Sequence, residues 1–263
     1  MTAPRSELGR AVATHLRATA AASTSAGRVL LNLAVQPPNT LLHDGHKWKR
    51  YSPAHILRET RSVLADPANR EVAFIVHASY AFLRAAEGGA RVGEHLRPIV
   101  DAALEAEALV LADRRPACLL RLGYLYGPES ADLKAYRVAF RIGRPYWAGP
   151  RNLRQYHLHT ADAAAALVEA ARGRRRDQLV YATDDRPASF AAFMDHFARL
   201  IGNPLPTHIP SFSRPLARLI VAEAHMEMVE LGVGGPAEPR LAGFRPNYPD
   251  YRTGLAQVVQ TWR

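Results

Sequence analysis

The chain has 263 residues, 48% of them hydrophobic, enough to bury a full core in one large or two closely joined domains. No run approaches the roughly 20 apolar residues of a membrane span, no apolar leader core follows Arg5, and the lone cysteine, Cys118, excludes an internal disulfide, so a cytoplasmic protein is expected. The net charge of +10 invites an anionic partner, but only Lys47, Lys49 and Lys134 are lysines, and the basic clusters His46-Lys47-Trp48-Lys49-Arg50, Arg114-Arg115 and Arg174-Arg175-Arg176 are scattered; this ranks nucleic acid below a small anionic molecule, which one or two arginines can hold.

From Ser6 to about residue 18, Leu8, Val12, Ala13 and Leu16 share one helical face, with Ser6 as N-cap. Gly27-Arg28 then leads into a nearly continuous apolar run over 29–35, closed by Pro37-Pro38. Such runs are buried on both faces and belong to parallel sheets. After a polar, basic loop, a helix is predicted over 53–64, with Ser52 as cap and Pro53 in its first turn. A second buried strand covers 72–76. Pro98 opens a helix running to about 112, with Ile99, Val100, Ala103, Leu104, Ala106 and Val110 on its apolar face, and the third strand is 117–122. This alternation predicts a doubly wound parallel α/β sheet over residues 1–183. Beyond 184 the chain is richer in loops and proline, with helices predicted over 189–201 and 215–231, and reads as a small C-terminal lobe, 184–263.

Five segments in order carry a resemblance. They are the run 29–35 ending in Leu33-Ala34-Val35; Phe74-Ile75-Val76-His77-Ala78-Ser79; Leu120-Arg121-Leu122-Gly123-Tyr124-Leu125-Tyr126-Gly127-Pro128; His157-Leu158-His159-Thr160-Ala161-Asp162; and Asn247-Tyr248-Pro249-Asp250-Tyr251-Arg252-Thr253-Gly254-Leu255 with Trp262 near the end. Together they resemble the extended short-chain dehydrogenase/reductase family, the NAD-dependent epimerases and dehydratases. The resemblance implies a Rossmann-like fold, NAD or NADP as cofactor, and contacts to it at Ala34, Ser79 and Leu122. Ser79 matches the family's substrate-contacting serine. It also implies a homodimer paired through long helices, the one from Pro98 to about 112 being the counterpart here.

The chain departs from the family where the chemistry sits. A pyrophosphate is held by backbone amides at a glycine-rich turn and a helix N-terminus. Here Gly9 is the only glycine before Gly27, and Leu8-Gly9-Arg10-Ala11-Val12 already resembles the family's first helix, so a shortened N-terminus is expected. The family's proton-transfer pair is a tyrosine four residues before a lysine. His43, Gly45 and Ser130 stand four before the three lysines, and alignment on Pro98 and Glu107 puts Ile99 and Ala103 at the tyrosine and lysine positions.

The remaining polar residues favour packing roles. His157, His159 and Asp162 imitate a metal site but occupy positions where the family has a histidine and an aspartate at a lobe junction. Glu223, His225, Glu227 and Glu230 read as the solvent face of their helix, and no metal site is expected. Ser79, Arg121, Tyr124 and His157, near strand C-terminal ends, are the candidate ligand pocket. The reading is a catalytically degenerate homologue binding a small molecule or a protein. An active NAD(P)-dependent enzyme on a nucleotide-sugar-like substrate is the alternative, and a basic complex subunit or RNA binder the third.

Overall fold

The computed structural model describes residues 6–18, 27–33, 53–174, 178–219 and 221–263. Ala34, Ser52 and the basic run 46–50 lie outside the described residues. Four strands, β1 (Arg28–Asn32), β2 (Val72–Tyr80), β3 (Ala117–Leu122) and β6 (Gln178–Ala182), form one parallel sheet in the order β1-β2-β3-β6. Two short strands, β4 (Tyr124–Tyr126) and β5 (His157–His159), pair in parallel beside it.

Both faces of the sheet are covered, which is why its strands read as unbroken apolar runs. Leu31, Phe74, Val76, Leu120 and Val180 point to one face, against α1 (Glu7–Ala18) and α6 (Thr160–Gly173). Leu30, Ile75 and Leu119 point to the other, which meets Val110 of α4 (Arg97–Leu111); α2 (Pro53–Ala65) packs on α4 in turn. Ser6 caps α1 by accepting from Gly9 N at 2.9 Å. Strand β2 runs four residues past its predicted end, because His77, Ser79 and their neighbours keep pairing with 119–122 of β3. Cys118 is buried in the first of these two faces.

A second core lies beyond the strand ends. Phe190, Phe193 and Phe197 of α7 (Phe190–Leu200) meet Leu133, Tyr136 and Phe140 of α5 (Ala131–Arg141) and Leu255 and Val258 of α10 (Tyr251–Thr261). Ser189 and Asp250 cap α7 and α10 through bonds from Ala192 N (3.1 Å) and Arg252 N (2.9 Å). Segments of the resemblance lock together here. Trp262 Nε1 donates to Pro128 O at 2.8 Å, and a side chain at Gly254 would collide with the Tyr126 hydroxyl.

The single helix predicted over 215–231 is two, α8 (Arg214–Ala217) and α9 (Glu223–Leu231), with α3 (Leu83–Glu87) the remaining short helix. The break has a packing reason. Ala217, Val221 and Met226 share one buried cluster with Trp147, and one straight helix would turn Met226 to the opposite side from Ala217. The solvent face expected for α9 is corrected too. His225 and Glu227 are buried, together with Ala224, Met226, Met228, Val229 and Leu231, because neighbouring segments enclose the helix.

Candidate functional site

Ser79 and Arg121 are Cα partners across β2 and β3, and Tyr181 of β6 continues the row. Arg121 is 0% exposed and uses all five of its N–H donors internally. Its Nε and Nη2 donate to Glu107 at 2.9 and 2.6 Å, its Nη1 and Nη2 to Glu87 at 2.5 and 2.7 Å, and Nη1 also to the Tyr181 hydroxyl at 3.1 Å. The bond from Arg121 holds the half-exposed Glu87 carboxyl below its ordinary range against the pull of burial. An arginine so clamped on two sides has no donor left for a ligand anion. Ser79 Oγ is buried beside it and makes no hydrogen bond among the described residues.

The cavity at the strand ends lies elsewhere. It is lined by Tyr80, Phe82, Leu122, Tyr124, Tyr156 and Met228 among others, and its free volume is about 30 Å³, on the order of one water molecule. Tyr80 and Phe82 stack at 4.9 Å, and burial drives the Tyr124 hydroxyl well above its ordinary range. Of the pocket residues expected from sequence, Tyr124 lines this cavity, as does Leu122, whereas Ser79, Arg121 and His157 do not. His157 lies behind it, stacked on Phe193 at 4.3 Å, and burial lowers its pKa to about 3.

His159 and Asp162 have structural partners. His159 Nδ1 accepts from Ala161 N at 3.2 Å and its Nε2 meets Gln257 Oε1 at 3.1 Å, while Asp162 accepts from the amides of Asn247 and Tyr248 at 2.9 and 3.0 Å. Asp184 takes the His157 amide at 3.3 Å, and burial pushes its pKa up to about 8. Ile99 and Ala103, which the resemblance aligns with a tyrosine and a lysine, are 5% and 0% exposed and pack with Leu96, Val100 and Met228. Of the noted basic clusters, Arg115 is held by Asp113 at 2.7 Å and Arg174 donates to Gly27 O at 2.7 Å.

No protein-family model matches the chain. Similar solved structures cover nearly all of it. A human epimerase family protein solved with NADPH is 15% identical with a TM-score of 0.73, 97% of each chain being covered. The chain shares the Rossmann-like α/β fold of that protein. RMD from Pseudomonas aeruginosa, complexed with NADPH, is 15% identical over 99% of this chain and 98% of that one, TM-score 0.64. A UDP-glucose 4-epimerase from Thermotoga maritima is 11% identical over 99% and 97%, TM-score 0.62. A curated relative from a Streptomyces species, 3-diazoavenalumate denitrifying reductase, is 31% identical over 162 residues, 60% of this chain. The chain's match spans about half, 52%, of that relative's length.

Proposed function

We propose that this chain is a catalytically degenerate homologue of the NAD-dependent epimerases and dehydratases, one that holds a ligand or partner without transferring hydride. The observation that carries this reading is the burial of Ile99 and Ala103 in an apolar core. Neither has a protonatable atom, so neither can give or take the proton that accompanies hydride transfer. The clamped Arg121 and the small aromatic cavity point the same way. The lining is mostly apolar, and anything larger than a water molecule would have to widen the cavity to enter.

Calorimetry with the oxidised and reduced forms of NAD and NADP tests the cofactor half of this reading. No saturable heat is expected with any of the four. Low-micromolar affinity for either dinucleotide would overturn it.

A second reading is favoured by the Streptomyces relative, which is named as a reductase. On that reading the chain reduces a small diazo or carbonyl compound with a nicotinamide. The proton then comes from a group other than those at Ile99 and Ala103, or from water.

A further inference from the structure

The geometry points to a divalent transition-metal site at His95, Glu223 and Glu227. Glu223 and Glu227 are four residues apart on α9, so their carboxylates share one helical face. His95 comes from the segment before α4, more than 120 positions away in the chain. Its Nδ1 lies 2.9 Å from Glu223 Oε2 and 3.1 Å from Glu227 Oε1, and the three donor atoms all lie within 4.8 Å of one another.

Two features separate this from an ordinary ion pair. Both carboxylates converge on one nitrogen, which carries at most one proton, so one N–H cannot serve both acceptors well. Arg218 forms only a long ion pair, 3.8 Å from the other oxygen of Glu223, and Arg214 is hydrogen-bonded to Glu230 instead. A doubly charged cation would satisfy all three donors at once. Glu227 is also held in place for such a role. Its side chain is only 8% exposed, its second oxygen takes the Leu96 amide at 2.7 Å, and any side chain at Gly93 would collide with its carboxylate.

One imidazole nitrogen with two carboxylate oxygens is a donor set that suits zinc and its neighbours rather than magnesium or calcium. Tetrahedral coordination at ordinary Zn–N and Zn–O lengths separates donors by roughly 3.3 Å, so the two short distances would open by a few tenths of an ångström while the two carboxylate oxygens, within 4.8 Å of each other, would draw together. His95, with its side chain 44% exposed, leaves the site open to solvent. The ion would tie the 93–96 segment to α9, whose Met228 lines the aromatic cavity. Occupancy therefore braces one wall of that cavity.

Titration of the whole protein with Zn²⁺ in a calorimeter tests the assignment. One ion per chain is expected, with affinity lost by roughly tenfold or more in each of His95→Gln and Glu223→Gln. Both residues are partly exposed, so these variants keep the fold, as thermal melts without metal will show. Co²⁺ in place of zinc is expected to give the visible bands of a low-coordinate site in the parent protein and to lose them in both variants. No saturable Zn²⁺ binding, or binding that both variants leave unchanged, overturns the proposal.

Discussion

Replacing Glu107 by alanine is expected to destabilise the protein by about 3–5 kcal/mol, measured by urea unfolding. The change leaves the fully buried Arg121 with two orphaned donors, Nε and one on Nη2, and only the half-exposed Glu87 to balance its charge. Breaking a buried pair from one side is costly because the surviving charge stays desolvated. Removing the whole group is a different experiment. The triple change Arg121→Met, Glu107→Leu, Glu87→Gln takes away the charges together and is expected to cost less than Glu107→Ala alone. Should Glu107→Ala cost under about 1 kcal/mol, Arg121 is not locked as described, and it returns as a ligand-binding candidate.

The second large effect is loss of stability in mild acid. Burial lowers the pKa of His77 to about 4 and those of His157 and His225 to about 3. All three are therefore neutral in the folded chain at pH values where the unfolded chain, near 6.5, has bound protons. Stability from these groups is complete above the unfolded pKa and declines as pH falls from about 6.5 toward 4. By pH 4 each contributes a loss on the order of 3 kcal/mol. Asp184 opposes them with one proton. Its folded pKa, about 8, exceeds the unfolded value, so it favours the folded state as pH falls from 8 toward 4. Burial also lowers the pKa values of His159 and His196, which add to the loss, and raises that of Glu7, which acts with Asp184; the histidines dominate, and urea midpoints are expected to drop steeply between pH 6.5 and 4. His157→Phe, which keeps a ring against Phe193, should flatten that drop. A midpoint that does not change over this range would show the histidines to be solvated.

The sheet was legible in the sequence because both of its faces are buried. Residues 117–122 have no polar position except Arg121 and coincide with β3. Helix α5 was not anticipated, since its buried stripe is narrow, Leu133, Tyr136 and Phe140, and exposed Val138 and Ile142 blur the period. The break between α8 and α9 has no proline or glycine at the hinge and accompanies a shared core with Trp147, a residue some seventy positions earlier.

Side-chain pairings were less legible still. Arg121 sits at a strand end, where ligand-binding arginines are expected, and nothing local marks Glu87 and Glu107 as its partners, 34 and 14 positions away. Glu227 looked like a solvent residue because its charge signals exposure, whereas its environment is made by Gly93, His95 and Leu96 from a distant segment. Gly93 is the one sequence signal there. A glycine that admits a carboxylate is recognisable only once the carboxylate is known to be near it.

A fold that has kept its sheet and lost its hydride chemistry, as proposed, should not consume NADPH. Nicotinamide absorbance, followed with the purified chain, NADPH and in turn a nucleotide sugar and an aryl diazo acid, tests it most directly. Absorbance is expected to decay no faster with the protein than without it, at any substrate concentration. Saturable, protein-dependent oxidation of NADPH with either substrate would contradict it and place this chain among the reductases.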